Sequence, residues 1–280
     1  MKKNKGKRIE TLDAARNFWT DLCRFCVTVV AVFPFIYMFL MSFKSTINAF
    51  DFDFSPDKLT LEQYVKVFEV DNFERYIFNS VFVAVAGVIL TLAVCSLAGY
   101  AFAKMNFKGN DKWFLFLILT LIVPSEVIIV PLFLIARGLG WLNMYRALIL
   151  PLPTALGVFI MRQAILDVPS DLIDAAKIDG CGNFKTFVRV VLPVVRSSLL
   201  ALAIFTFVGA WNNFLWPLVA CTKEEMKTLP LALSLMKTQY NTDVGLTMAC
   251  AVINFLPPFL FYIFMQSKFK EGLTMGGVKG

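Results

Sequence analysis

The sequence predicts an all-α membrane protein of about six transmembrane helices, and three observations predict it. Of 280 residues, 58% are hydrophobic and only 17% charged, where a soluble domain usually carries about 25% charged residues. The mean hydropathy of +0.68 is too apolar for one aqueous core to hide. Six segments, roughly 25–43, 77–103, 113–136, 147–166, 198–220 and 246–266, are mostly apolar, and a span needs about 20 such residues. Trp113 to Val123 is apolar on every side rather than alternating, unlike a barrel strand. Backbone groups in lipid must bond internally, so helices follow.

The first run follows a basic stretch, as in a signal peptide. It is too long for an h-region and lacks a small-residue cleavage site, so it reads as a retained span. The chain then divides into an N-terminal segment 1–24, a membrane domain 25–266 and a tail 267–280. Pro34, Pro124, Pro131, Pro151, Pro153, Pro257 and Pro258 each remove a backbone donor from a span and favour a kink.

Charge sets orientation. A net charge of +7 would suit nucleic acid, but the cations lie at the ends of apolar runs. With the N-terminus inside, 18 Lys and Arg fall in 1–24, 104–112, 162–197 and 267–280, and 9 fall outside. That excess places both termini in the cytoplasm. Segments 44–76, with its Ser55-Pro56-Asp57 turn, and 221–245 are polar enough to fold above the membrane.

The residues also exclude chemistry. Histidine is absent, which removes His-ligated metal and the commonest acid–base catalyst. Cys23 and Cys26 form a lone CxxC without a second pair to complete a zinc site. No Gly-x4-Gly-Lys-Ser/Thr phosphate loop is present, so ATP chemistry by that route belongs elsewhere. A membrane enzyme would need convergent catalytic groups at one depth. An ion-coupled transporter would need coupling-ion sites, and Glu126 is the single strong candidate carboxylate.

Glu126 is placed mid-helix in the third span, where a carboxylate costs about 2.5–3.5 kcal/mol. It should therefore face a cavity or bond another helix rather than lipid. Asn212, Asn213 and Asn254 could bond solute hydroxyls, and Trp211 or Trp216 could stack on a sugar face. Interhelical hydrogen bonds and interfacial anchoring are the competing roles.

The loop after the fourth span, 167–196, reads as a short helix, a glycine turn and a second short helix. Ser170 is expected to cap the first helix, with Asp171 at its positive end. Leu172, Ala175 and Ala176 are expected on one face. Gly180 and Gly182 should end the helix through φ > 0, and Pro193 should mark the break before the fifth span. The pattern suits an amphipathic docking element at the membrane surface.

This loop resembles the "EAA" motif of permease subunits in bacterial binding-protein-dependent ABC importers. That motif reads Glu-Ala-Ala, three residues, Gly, then about nine residues to Ile-x-Leu-Pro. Here Asp174-Ala175-Ala176 precedes Gly180, and Val190-Val191-Leu192-Pro193 follows, with Asp for Glu and Val for Ile. Arg75-Tyr76 with Asn79-Ser80, Gly99-Tyr100-Ala101-Phe102-Ala103, Trp211 to Leu218 and the tail Gly272 to Gly280 resemble the carbohydrate-uptake, MalG-like branch. The resemblance covers nearly the whole chain.

It implies a type I, MetI-like permease fold in the bacterial inner membrane, paired with a second, MalF-like permease subunit. Two cytoplasmic ATPase subunits would hold ATP and Mg, and an extracytoplasmic binding protein would deliver a sugar, polyol or glycerol phosphate ester. Asp174, Ala175, Ala176, Asp179, Gly180, Leu192 and Pro193 would couple to the ATPase. Segment 221–245 resembles the part that meets the binding protein. The resemblance implies no catalytic residue, metal or cofactor in this chain.

Overall fold

The computed structural model describes the backbone of residues 2–69, 71–239 and 243–276, and the side chains of 19–69, 71–235 and 243–266. The helices are α1 (Lys2–Met41), α2 (Glu62–Phe68), α3 (Phe73–Lys104), α4 (Asn110–Leu119), α5 (Ser125–Gly138), α6 (Tyr145–Ile149), α7 (Ala155–Leu166), α8 (Ser170–Ile178), α9 (Asn183–Thr186), α10 (Leu192–Val194), α11 (Arg196–Trp211), α12 (Leu215–Ala220), α13 (Leu229–Gln239) and α14 (Val244–Gly276). A π-turn, Phe187–Val191, joins α9 to α10. Two units emerge: Met1–Glu69 with Gln239–Ile253, and Val70–Thr238 with Asn254–Gly280.

In the first unit, Trp19–Met41 is an apolar stretch with no buried residue in its most hydropathic window. Such a surface suits lipid. The chain then turns around Lys44, which is only 2% exposed. Its ammonium pairs with Asp51 Oδ2 at 2.7 Å and donates to the Asp51 and Asp53 carbonyls at 2.9 and 2.7 Å. Three donors with three acceptors make the burial of this charge tolerable. Gln63 Nε2 donates to Asp243 Oδ2 at 3.0 Å, and the Val244 N–H donates to the Thr46 carbonyl at 2.9 Å.

In the second unit α3 is the spine. A helix of 32 residues is about 48 Å long at 1.5 Å per residue, enough to reach both faces of a bilayer. It packs along α7 in parallel, through small residues. A Cβ on Gly157 would stand 2.7 Å from Cys95 Sγ, and one on Gly99 would stand 2.8 Å from Met161 Cβ and 2.9 Å from the Arg162 backbone nitrogen. Lipid tails are as apolar as leucine, so helices associate through close packing of this kind. Leu202 of α11 joins Cys95, Val158, Met161 and Ile165 in the same buried cluster.

Proline divides several of the other spans, further than the kinks expected from the sequence. Segment 113–136 is two helices bent by 106°. Pro124 forces Val123 to an extended conformation, φ −78°, ψ 119°, which ends the first. Segment 147–166 is interrupted between Ile149 and Ala155 by Pro151 and Pro153. Thr154 restarts it, its Oγ1 accepting from the Gly157 N–H at 3.3 Å. Segment 198–220 breaks at Asn212-Asn213-Phe214. Among the described residues three helices are each long and apolar enough to cross a membrane, or five spans if each bent pair counts as one. Pro34, Pro257 and Pro258 lie within continuous helices.

Gly99→Val should overpack the spine, because the obstruction includes backbone of α7. The expected cost is about 1–3 kcal/mol, read as a lower thermal midpoint for the purified importer. Gly209→Ala, whose Cβ meets nothing within 4 Å, should leave that midpoint unchanged.

Candidate functional site

The candidate coupling surface, α8 and α9, begins where α3 and α7 end. Lys104 Nζ donates to the Val168 and Leu166 carbonyls at 2.8 and 3.3 Å, closing the C-terminus of α7 with a cation. The Tyr100 and Phe187 rings lie 5.2 Å apart. Ile173, Phe187, Val191 and Val195 belong to the same buried cluster as Cys95, Tyr100, Met161 and Ile165. The short helices after α7 are thus seated on the spine rather than hung from it.

α8 presents two faces, and they differ from the sequence expectation. Ile173 and Ala176 are buried, while Leu172, Asp174, Ala175, Ile178 and Asp179 are exposed. Ala175 and Ala176 therefore point apart: Ala176 packs inward and Ala175 belongs to the outer surface. The remaining outer residues include Ile178 at 87% and Phe184 at 70% exposed. Ser170 is the first helical residue and caps nothing; Pro169 occupies the cap position. Asp171 lies in the first turn, as the helix dipole favours.

Gly180 adopts φ +76°, where L side chains are strained. Gly182 has φ −70° and ψ 166°, an extended conformation open to any residue, so only one of the two glycines serves as a turn. The Leu192 N–H reaches back five residues to the Phe187 carbonyl. The chain then bends by 81° at Val195, two residues beyond Pro193. Leu192 is packed against the buried cluster as a partly covered residue.

The candidate solute site is a cavity of about 560 Å³ whose lining includes Ser125, Glu126, Pro151, Gly209, Asn212, Asn213 and Trp216. Glu126 is not mid-helix. It sits in the first turn of α5, just past the Pro124 break, and the Ser125 hydroxyl donates to its Oε1 at 2.9 Å. Asn213 Oδ1 accepts from the Trp216 N–H at 3.3 Å, which leaves its amide NH₂ as the group to offer a solute. Trp216 Nε1 donates to the Ala147 carbonyl at 2.9 Å. Trp211 is 1% exposed, and its Nε1 donates to Asn254 O and Oδ1 at 3.0 and 3.2 Å. Trp211 and Asn254 therefore pin α11 to α14 and stand outside the cavity lining.

The far end of α3 holds the segment after α12. Asn79, fully buried, donates to the Glu225 and Lys227 carbonyls at 2.9 and 2.8 Å, and its Oδ1 accepts from the Tyr145 hydroxyl at 2.7 Å. Ser80 Oγ accepts from the Leu229 N–H at 2.7 Å, and the Tyr76 hydroxyl donates to Glu224 Oε2 at 3.0 Å. Asn143, at φ +59°, accepts from the Thr222 and Lys223 N–H groups at 2.7 and 2.8 Å. Sequence reasoning missed Asn143; its one cue is the asparagine itself, which tolerates that conformation. Residues 240–242 of the expected external segment lie outside the described residues.

An all-helical bundle with broken spans, a polar-lined cavity and an exposed knuckle seated on its spine defines a multi-pass membrane transport subunit. Residues 95–273 match the family described as the binding-protein-dependent transport system inner membrane component. The chain belongs to that family and is a permease subunit of an ABC importer. It is 38% identical over 260 residues to the arabinooligosaccharides transport system permease protein AraQ of Halalkalibacterium halodurans, covering 91% of this chain and 93% of that one. It is 32% identical to the lactose transport system permease protein LacG of Rhizobium radiobacter, covering 89% and 92%. A chain of a bacterial ABC transporter involved in the import of the acidic polysaccharide alginate has the same fold. Its TM-score is 0.79 at 22% identity, covering 92% of this chain and 97% of that one.

The pinned segment 221–229 carries a pH signature. Its hydrogen bond to Lys227 first, then that to Tyr76, lowers the Glu224 carboxyl below its ordinary 4.5. A lowered carboxyl stabilises the fold in full above the ordinary value and loses that contribution as pH falls through the lowered one. Proteolysis of this segment should be flat from neutral pH down to about 5 and rise below it. Lys227→Met should remove most of the pH dependence.

Proposed function

We propose that this chain is one of two permease subunits of a carbohydrate importer of the inner membrane, with both termini cytoplasmic. A solute-binding protein delivers the solute on the outer side, and two ATPase subunits holding ATP and Mg bind the knuckle formed by α8 and α9. The observation that carries the proposal is the two-faced knuckle. Ile173, Phe187 and Val191 join the spine and Ala176 is buried, while Leu172, Ala175, Ile178 and Phe184 are exposed on the outer face. Exposed apolar residues grouped around a rigid turn suit a protein partner better than water.

ATP-driven closure of the ATPase pair would displace this knuckle, and its packing on Tyr100, Met161 and Ile165 would carry the displacement into α3 and α7. That is a two-state element biased by ligands on both sides. Asp174 and Asp179 are exposed and suited to cations on the partner. Leu192 and Pro193 hold the return to α11, so their part is to keep the bend. The names of the AraQ and LacG relatives support a sugar as the solute. Glu126, Asn212 and Asn213 offer it hydrogen bonds within the cavity.

Ile178→Asp and Gly180→Asp test the docking. Ile178 packs on little of its own chain, so its replacement should change stability by no more than about 0.5 kcal/mol. Both variants should insert normally, lose ATPase subunits on co-purification and abolish uptake. Normal ATPase recruitment by a well-expressed Ile178→Asp importer would contradict the assignment.

A further inference from the structure

We infer that the cavity beside the α5 break excludes anions, and that Glu126 is the residue that makes it do so. The solute handled there is then neutral and rich in hydroxyls, not a uronate or a phosphate ester. The inference rests on reading this cavity as part of the solute path.

Among the described residues lining the cavity, Glu126 is the one charged side chain, and no Lys or Arg accompanies it. Its neighbours are amides, a serine hydroxyl and apolar surface. The carboxylate is exposed rather than consumed by a cation; its bonded neighbour is the neutral Ser125 hydroxyl. A negative charge in a cleft with low-dielectric walls acts over several ångströms more strongly than it would in water.

The placement sharpens the effect. A half-helix that begins inside a membrane protein presents free N–H groups and a positive dipole end, which attract the anionic part of a solute. Here α5 begins at the break, and its own second residue is a carboxylate. Glu126 thus supplies negative charge at the position where a solute anion would otherwise be favoured. What remains for the solute are the Asn213 NH₂ donors, the Asn212 amide and the carboxylate itself as an acceptor. Hydroxyl groups, which both donate and accept, suit that set.

Charged thiol probes measure this directly, without knowledge of the solute. Gly209 lines the cavity and has open space where a side chain would begin, so Gly209→Cys adds a thiol without removing a contact. Ile128→Cys, on α5 and 42% exposed, provides an independent position. The assembled importer in membrane vesicles is treated with sulfonatoethyl methanethiosulfonate, an anion, or trimethylammonioethyl methanethiosulfonate, a cation of similar size. Labelling rates at these positions are read by peptide mass, relative to free cysteine. The cation should react faster, and adding Glu126→Gln should raise the anion-to-cation ratio by roughly tenfold. An unchanged ratio at both positions would overturn the inference while leaving the cavity in place. Failure of both reagents to reach either thiol would instead remove the cavity from the solute path, and the inference with it.

Discussion

The close approach of α3 and α7 through Gly99 and Gly157 is the contact on which the rest of the second unit depends. At two levels one of the two helices contributes no side chain to the contact, because a Cβ there would collide with Cys95 from α3 or with Met161 and the Arg162 backbone from α7. In lipid such packing has no rival driving force from the hydrophobic effect. It also sets where the two ends of α3 lie, and with them the segments each end holds. One end of α3 carries Tyr100 and Lys104, which receive the knuckle. The other carries Tyr76, Asn79 and Ser80, which receive the segment after α12. One helix is thus the ruler for the molecule's two external surfaces.

The breaks in the other spans follow a different logic. Irregular backbone at membrane depth is tolerated where it lines a cavity or is buried in protein. The breaks at Val123-Pro124, at Pro151 to Thr154 and at Asn212 to Phe214 all contribute residues to, or adjoin, one cavity. The prolines supply the interruptions, and the asparagines and Glu126 supply the polar groups that such a place can hold. Trp216 fastens one of these breaks to the Ala147 carbonyl, and Trp211 fastens the end of α11 to Asn254. Their indoles act as fixed struts with the N–H satisfied.

Much of this was legible in the residues. Apolar length and charge placement disclosed a helical membrane bundle, and the Asp174 to Pro193 spacing disclosed the knuckle. Gly180 was readable as a turn because its φ of +76° leaves few other choices. The side of α8 that faces inward was not readable. Ala175 and Ala176 are chemically identical neighbours, and only the packing of the folded chain decides that Ala176 is the one covered. Hydropathy likewise could not show that 113–136 bends by 106°, because both halves are equally apolar. Nor could it show that Trp211 and Asn254, 43 residues apart, use up each other's hydrogen bonds.

The central claim is that the knuckle and the α3–α7 pair move as one body when the motor acts. Genetically encoded spin labels at Leu97, an exposed position of α3, and at Asp171, exposed in the first turn of α8, would measure it. In the assembled importer, the distribution of distances between them should keep its centre and width when ATP is added and uptake begins. A second distance population appearing with ATP would show that the knuckle moves independently of its seat, and would contradict the account.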